Sequence, residues 1–373
     1  RSAAIRPARS GDDDPGAAVT TGGPSQPAPA ATVVLLRPAA TEAEPEVLLT
    51  RRPTTMAFAG GMHVFPGGRV DAADRDPGLA ARSARSPDEA ARALGDNVPP
   101  AEALALHVAV VRELAEEAGI ALRDADGRFR TDLLAPIAHW VTPRFMPRRF
   151  STWFFVADLP PGAQPVFAPD EVADHRWVTP STALEQLAAG EIGMWVPTTS
   201  VLERLLEIGA RSAADVARAI TLRPAPPPRI VEEADSLVRI ALGGVGALPG
   251  RAGQVVLHGR RELVLVDPGD PSDEAVDAIL AAADRRSGAI RAVVLTATDP
   301  DHAAASEALA IPLEVPILVA PGAGRRLPYA TRELADGERL PADSGVRVRL
   351  GPPGSGRLEV VAAPAGSGAS AGK

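Results

Sequence analysis

Short apolar runs along the first half of the chain predict a mixed α/β domain. Two β-type runs at 32–36 and 46–50 flank a polar turn that contains proline, which is the pattern of a β-hairpin. A Phe-Pro-Gly-Gly loop follows at 65–68, and 69–100 is rich in Ala, Asp and Arg with weak periodicity, so we expect an insertion carrying one short helix there. Later apolar patterns predict three strands and two helices, at 137–141, 152–157, 175–178, 182–189 and 196–209.

The strongest helix signal covers residues 101–119. Leu106, Val110 and Leu114 recur at i, i+4 and i+8 and therefore share one face. Gly119 is a stop signal at the C-terminal end. This segment is expected to be an amphipathic helix packed against the sheet.

A proline-rich stretch at 224–228 predicts a stiff linker and a domain boundary, because consecutive prolines favour an extended chain. Beyond it, strands at 262–266 and 291–295 enclose a helix at 272–283, which is the order of a parallel βαβ unit. Further strands are expected at 317–320 and 358–362. The predicted organisation is a disordered tail, a first domain with its insertion, a linker and a second domain, at 1–30, 31–215 (insertion 69–100), 216–235 and 236–373.

Composition narrows the classes of function. The formal net charge is −8 over 373 residues, and no basic run is present, which argues against nucleic-acid binding. The apolar runs are far shorter than the roughly 20 residues of a membrane-spanning helix, so no membrane partner is expected. Without cysteine, a metal could be held only by carboxylates, histidine or water, and a cytoplasmic location is the expectation.

An acidic cluster occupies the end of the predicted helix. Glu113 lies one turn from both Glu116 and Glu117, so the three carboxylates can converge on one helix edge. A solvated helix face is the simplest interpretation of such a cluster. The upstream glycine loop and the immediate Gly119 stop favour instead a site for a hard divalent cation, which prefers carboxylate oxygens, water and phosphates.

This segment resembles the Nudix box, whose pattern is Gly-x5-Glu-x7-Arg-Glu-U-x-Glu-Glu-x-Gly-U, with U an aliphatic residue. The matching positions are Gly68, Arg112, Glu113, Glu116, Glu117, Gly119 and Ile120. The resemblance implies a Nudix α/β/α sandwich in which the three glutamates bind Mg²⁺ or Mn²⁺ and Arg112 orients Glu113. Two departures are the insertion at 69–100 and Leu104, which stands where the box Glu is expected eight residues before the arginine.

Flanking motifs resemble the coenzyme A diphosphatase branch of that family. They are the Leu-Leu-Thr-Arg-Arg run at 48–52, the glycine loop, and the Pro-Arg-Arg-Phe-Ser-Thr run at 147–152. The candidate substrate-binding residues are Arg51, Arg52, Gly67, Gly68, Arg148 and Arg149. The arginines suit bidentate phosphate contacts, although surface ion pairs are an equal alternative for each. Glu171 is a candidate general base, against the default of a solvated loop glutamate.

The second domain resembles the first half of a metallo-β-lactamase fold. That family binds two metals through a His-x-His-x-Asp-His cluster at a strand end, and only Asp301 and His302 match here, since Ala297 and Asp299 stand at the first two histidine positions. A degenerate and incomplete αβ domain with a scaffolding or binding role is therefore expected.

Together these resemblances imply an enzyme that hydrolyses a diphosphate linkage in a small nucleoside diphosphate derivative, with coenzyme A or an acyl derivative as first choice. The runner-up is a non-catalytic Nudix-like nucleotide-binding protein, motivated by Leu104. Hydrolysis of the metallo-β-lactamase type is a third hypothesis, which is disfavoured because Ala297 and Asp299 replace two of the metal-binding histidines. A homodimer is left open.

Overall fold

The computed structural model describes residues 26–39, 44–54, 60–142, 146, 148–167, 174–220, 227–245, 248–327 and 329–361. Within these ranges the first domain is an α/β sandwich. Its strands are β1 (Ala28–Arg37), β2 (Glu46–Arg51), β3 (His63–Val64), β4 (Gly67–Arg69), β5 (Ala135–Val141), β6 (Phe150–Asp158) and β7 (Asp174–Val178). Its helices are α1 (Pro87–Ala93), α2 (Pro100–Ala118), α3 (Pro180–Ala188), α4 (Val196–Ile208) and α5 (Ala213–Ala219).

The first sheet is mixed. Its order is β3-β2-β1-β6-β5, with β4 also paired to β1 and β7 to β2. The predicted hairpin is confirmed, since β1 and β2 pair antiparallel, whereas β1 and β6 run parallel. Both faces of β1 are buried, because alternate residues enter different cores: Val33 packs on the α2 side and Val34 on the α4 side.

The predicted long helix is confirmed as α2. Leu106, Val110 and Leu114 are buried against the sheet. The helix ends at Ala118, where Gly119 has a φ of 65° and donates its N–H to the carbonyl of Ala115. This ending holds the acidic last turn at the edge of the sheet, beside the loop that precedes β4.

The second domain contains the predicted parallel βαβ unit. Its strands are β8 (Arg229–Ala234), β9 (Leu237–Val245), β10 (Leu248–His258), β11 (Glu262–Val266), β12 (Ala289–Val294), β13 (Ile317–Val319), β14 (Arg332–Glu333), β15 (Arg347–Leu350) and β16 (Leu358–Val361). Its helices are α6 (Asp273–Arg285), α7 (Pro300–Ala303) and α8 (Ser306–Ala310). The main sheet has the order β14-β13-β12-β11-β10-β9-β8, in which β11 to β14 are parallel neighbours.

Two predicted boundaries differ from the structure. The tail assigned to 1–30 overlaps β1, which begins at Ala28 because that residue pairs with Phe150 of β6. The linker assigned to 216–235 is too long, because α5 continues to Ala219 and β8 pairs with β9. Both segments have weak sequence periodicity; Ala28 pairs with a strand that is distant in the chain, whereas β8 pairs with β9, which follows it directly. The remaining tail, 1–25, and the linker core, 221–226, lie outside the described residues.

The insertion at 69–100 carries the one short helix that was expected, α1, which begins with a capping box formed by Ser86 and Glu89. It also contains two 3₁₀ turns that the sequence did not indicate, Ala73–Arg75 and Pro77–Arg82. Across the described part of the chain, none of the helices combines the length and the apolarity needed to cross a bilayer.

Candidate metal and phosphate site

The glycine pair lies directly against the acidic end of α2. Strand β4 pairs antiparallel with β1, which places Gly68 opposite Ala31 and beside the helix. The Gly67 N–H donates to Oε2 of Glu117 at 2.9 Å. A Cβ atom on Gly68 would displace the carboxylate of Glu113, and a Cβ atom on Gly67, whose φ is 153°, would collide with the backbone carbonyl of Ala31, so this approach requires glycine at position 67. The glycine pair at the start of β4 and the acidic end of α2 therefore lie together, as the box pattern implies.

Arg112 connects two of the carboxylates. Its Nη1 donates to Oε1 of Glu113 at 2.9 Å and to Oε2 of Glu116 at 2.8 Å. The side chain of Glu113 is 14% exposed and that of Glu116 is 58% exposed. Arg112 thus lies where the resemblance implies an ion-pair partner for Glu113, and it holds Glu116 as well.

Asp74 is a further partner of Arg112, and the sequence analysis did not identify it. Nε and Nη2 of Arg112 donate to the two carboxylate oxygens of Asp74 at 3.0 and 2.9 Å, and the Asp74 side chain is 2% exposed. A bidentate pair of this kind fixes the guanidinium plane. The backbone carbonyl of Arg69 accepts a further bond from Nη2 at 2.9 Å.

Asp74 also corrects the assignment of Leu104 to the box glutamate position. Leu104 is buried in the core beneath the helix, where a carboxylate would be desolvated. Counted forward from Gly68, the five-residue spacing of the box ends at Asp74, so the acidic position is occupied by a shorter carboxylate. The insertion follows that residue instead of preceding it. Counting back from Arg112 leads to Leu104 instead of Asp74, because the insertion lies between Asp74 and the helix.

Burial and like charge shape the electrostatics of the site. Desolvation of Glu113 raises the pKa of its carboxyl to about 6, against the lowering effect of Arg112. Glu116 and Asp71 add repulsion to the same group. A divalent cation would relieve both the repulsion and the desolvation of this carboxylate.

The donor set fits Mg²⁺ or Mn²⁺, since all three side chains offer hard carboxylate oxygens. Among the described residues, however, no three acidic or histidine side chains lie close enough together to form a ready-made ligand cluster. Glu113 and Glu116 face Arg112, and Glu117 faces Gly67. Glu116 is the more exposed of the two carboxylates on Arg112.

The four candidate arginines occupy different environments. Arg51 is exposed, and its Nε donates to the carbonyl of Gly61 at 3.3 Å. Arg52 lines a cavity that also borders Gly67, and its Nε is buried without a hydrogen-bond partner. Arg148 is exposed beside β6. Glu171, the candidate base, lies outside the described residues.

Arg149 is a correction to the expected phosphate contacts. Its side chain is 2% exposed, and its Nη2 donates to both carboxylate oxygens of Asp273, in the first turn of α6, at 2.9 and 3.0 Å. Its Nε donates to the carbonyl of Thr142 at 2.9 Å. The bonds to Asp273 join the two domains, and together with the bond to Thr142 they engage Nε and Nη2 of the guanidinium with protein groups. The sequence could not show this, because Asp273 is 124 residues away along the chain.

Replacing Arg149 by Ala is expected to lower the free energy of unfolding by about 1.5–3 kcal/mol, because it removes a buried guanidinium that donates to both carboxylate oxygens of Asp273. The Michaelis constant for the diphosphate substrate should change little through lost phosphate contact. Chemical denaturation and steady-state kinetics would measure the two effects. An exposed neighbour, Arg148→Ala, is the matched control; an unchanged stability for Arg149→Ala would contradict the structural role.

The strand-end cluster of the second domain is held together by its own hydrogen bonds. Oδ1 and Oδ2 of Asp267 accept from the N–H and hydroxyl of Thr296 at 2.7 and 2.6 Å. Nδ1 of His302 lies 2.7 Å from Oδ1 of Asp299, and this contact raises the pKa of His302 and lowers that of Asp299. The described residues bring no third ligand of the kind zinc requires to this pair.

Comparison with known proteins agrees with this geometry. The NUDIX domain model matches residues 26–197, and the metallo-beta-lactamase superfamily model matches residues 248–369. The chain is similar to putative nudix hydrolase 7 of Caenorhabditis elegans (25% identity over 190 residues; 43% of this chain and 56% of that protein). It is also similar to human acyl-coenzyme A diphosphatase NUDT19 (30% identity over 224 residues; 42% of this chain and 59% of that protein).

The chain spans a little over half the length of both curated relatives, 56% and 59%. A crystal structure of a NUDIX hydrolase from Alicyclobacillus acidocaldarius shares 27% identity, with a TM-score of 0.43 over 51% of this chain and 96% of that one. The molecule is therefore a two-domain α/β protein that carries a NUDIX domain at residues 26–197 and a metallo-beta-lactamase superfamily domain at residues 248–369.

Proposed function

We propose that the NUDIX domain hydrolyses a diphosphate linkage in a nucleoside diphosphate derivative, with coenzyme A or acyl-coenzyme A as the first-choice substrate. One observation carries the proposal: Glu113, Glu116 and Glu117 lie on one helix edge, next to a glycine pair whose backbone approaches them closely. The similarity to human acyl-coenzyme A diphosphatase supports the choice of substrate.

The chain's own residues have separate tasks in this proposal. Glu113, Glu116 and Glu117 would hold Mg²⁺ or Mn²⁺, which when bound polarises a diphosphate and lowers the pKa of coordinated water. Arg112, fixed by Asp74, orients Glu113 and balances the acidic edge. Glu171 is kept as a candidate base that removes a proton from the attacking water. Attack at one phosphorus breaks the bond to the bridging oxygen and leaves two phosphate monoesters.

The remaining substrate contacts would come from Gly67, Gly68, Arg51, Arg52 and Arg148. The exposed Arg51 and Arg148 are free to reach phosphate oxygens by side-chain motion, whereas Arg52 faces the cavity beside Gly67. We also propose a small-molecule substrate, a cytoplasmic setting, no nucleic-acid or membrane partner, and a homodimer as an open alternative to a monomer.

Purified protein should be assayed with coenzyme A, acyl-coenzyme A, ADP-ribose, NADH and dinucleoside polyphosphates, each with Mg²⁺ and with Mn²⁺. We expect activity that depends on the added cation and is greatest on the coenzyme A group. Product analysis should show cleavage between the two phosphorus atoms of the diphosphate, with no loss of a terminal phosphate. Glu191→Gln, an exposed carboxylate in the same domain, is the control variant.

A non-catalytic nucleotide-binding role is the second candidate function. The observation that favours it is that Arg112 binds Glu116 and the Gly67 N–H binds Glu117. With these bonds made, the described residues contain no preformed cluster of metal ligands. Binding of these ligands without turnover under any cation would establish that alternative and contradict the diphosphatase proposal. Release of acid from β-lactams or thioesters by the second domain would instead favour hydrolysis of the metallo-β-lactamase type.

A further inference from the structure

A cavity of about 330 Å³ lies between the first sheet and the second domain. The first domain contributes residues of β1, β5 and β6 and the start of α4. The second domain contributes Ala303, Ala304, Glu307 and Tyr329, from α7, α8 and the segment that follows them. Both domains are therefore required to enclose this space.

The cavity begins at the candidate catalytic site. Gly67 and Thr32, which are paired across β4 and β1, both line it. The Gly67 N–H donates to Glu117 at 2.9 Å. A substrate whose phosphates lie over the glycine pair would extend directly from that point into the cavity, so the cavity is placed for the part of the substrate next to the diphosphate.

The walls are rich in aromatic rings. Trp140, Phe154 and Trp195 of the first domain and Tyr329 of the second all line the space. Several aromatic rings in one cavity favour a flat ring system, which can stack on a ring face whatever its substituents. The composition of the lining therefore suits a nucleobase.

One acidic group stands among these rings. Glu307 lines the cavity, burial raises the pKa of its carboxyl, and no hydrogen bond or ion pair between described residues uses that carboxylate. Glu307 is half-buried, and a carboxylate that is partly removed from water would be stabilised by a ligand that donates a hydrogen bond to it. A phosphate would be repelled, and an acyl chain would leave Glu307 without a partner.

Two nitrogen atoms in the lining residues also lack partners. They are Nε of Arg52 and Nε1 of Trp140, both buried. Each is a donor and could bond the ring nitrogens or sugar oxygens of a ligand. With Glu307, these groups offer one acceptor and two donors beside the aromatic rings, which matches the mixed hydrogen-bonding pattern of an amino-bearing purine.

Contacts between the two domains fix their relative position around the cavity. The buried ion pair between Arg149 and Asp273 lies at the domain contact, and Ala304 packs against the core on the α4 face of the first sheet. Pro271, close to Asp273 in the chain, is itself part of the cavity lining. The wall that carries Glu307 is therefore fixed relative to the glycine pair.

We infer that the second domain completes the substrate pocket of the NUDIX domain and that Glu307 accepts a hydrogen bond from the exocyclic amine of a purine base stacked in this cavity. The inference rests on the proposed function, because it treats the base as the neighbour of a diphosphate bound at Gly67 and Gly68. It gives the degenerate second domain a role in recognition that requires no metal of its own.

The test is calorimetric titration of the full chain with AMP and with the 5′-monophosphate of purine riboside, which lacks the amine. A bond from the amine to this half-buried carboxylate should make AMP bind about tenfold more tightly. Glu307→Ala should weaken AMP binding by about tenfold and remove the preference. Glu274→Ala, an exposed glutamate in the first turn of α6, is the matched control and should leave both affinities unchanged.

A second variant keeps the test decisive if Glu307→Ala does not fold. Glu307→Gln preserves the shape of the side chain and replaces the charged acceptor by a weaker neutral one, so the preference should narrow severalfold while the melting temperature is retained. Equal affinity for the two nucleotides, absence of AMP binding, or a preference unaffected by both variants would overturn the inference. Displacement of AMP by a free fatty acid but not by adenosine would assign the cavity to an acyl chain and overturn it as well.

Failure of this inference can be separated from failure of the proposed function. AMP contains no diphosphate, so its binding is independent of hydrolysis. AMP selectivity through Glu307 without turnover of any diphosphate would contradict only the diphosphatase. Turnover without amine selectivity would contradict only the role of Glu307 and of the second domain.

Discussion

Glu117→Gln is expected to lower diphosphatase turnover by about a hundredfold or more while leaving the fold intact. Oε2 of Glu117 accepts the Gly67 N–H at 2.9 Å, and the amide oxygen of glutamine can still accept that bond. What the substitution removes is the negative charge that would hold a divalent cation. The loss should therefore appear in catalysis and in cation affinity, with little change in the melting temperature.

Turnover as a function of Mg²⁺ and Mn²⁺ concentration, together with thermal melting, measures both parts of this expectation. Glu191→Gln makes the same chemical change at an exposed position of the first domain and should behave as wild type. Glu116→Gln should also be impaired, since Glu116 shares the acidic helix edge. Wild-type turnover in both Glu116→Gln and Glu117→Gln would remove the metal assignment from this helix.

Asp74→Asn is expected to reduce both stability and turnover. It removes the charge from a carboxylate that is 2% exposed and bound at both oxygens by Arg112, which should cost about 2 kcal/mol of unfolding free energy. The loosened arginine no longer fixes Glu113 and Glu116, so we expect turnover to fall by more than about tenfold. Asp74 acts through Arg112 and is a positioning residue.

Denaturant unfolding and kinetics on the same preparations would measure these effects. Asp74→Glu keeps the carboxylate that the box pattern has at this position and should recover most of the turnover. Asp88→Asn, an exposed aspartate in the first turn of α1, should change neither quantity. If Asp74→Asn kept full turnover and full stability, the ion pair with Arg112 would contribute neither to catalysis nor to the free energy of unfolding.

Local patterns predicted the parts of the molecule that depend on neighbouring residues. The apolar repeat of Leu106, Val110 and Leu114 predicted α2, because a helix buries one face at that spacing. The alternation of β-type runs predicted the β1 and β2 hairpin. The order of strand, helix and strand predicted the parallel β11 and β12 pair, because a crossover helix permits parallel pairing.

The candidate site was predictable only as far as its spacing is local. Glu113, Glu116 and Glu117 lie within five consecutive positions of one helix, so their common edge follows from helix geometry. Asp74 was missed because the insertion separates it from Arg112 by 38 residues, and their pairing depends on how the 3₁₀ turn folds over the helix.

Sequence alone determined the long helix α2, the β1 and β2 hairpin and the parallel βαβ unit, the grouping of three glutamates on one helix edge, and the resemblance to two known families. Only the tertiary structure decided that Arg149 binds Asp273 of the other domain, and that Glu307 and Tyr329 face the aromatic wall beside Gly67. The physical reason is the separation along the chain over which each kind of interaction acts. Periodicity and turn chemistry act over a few residues, whereas an ion pair or a cavity depends on where chain segments more than a hundred residues apart come to lie.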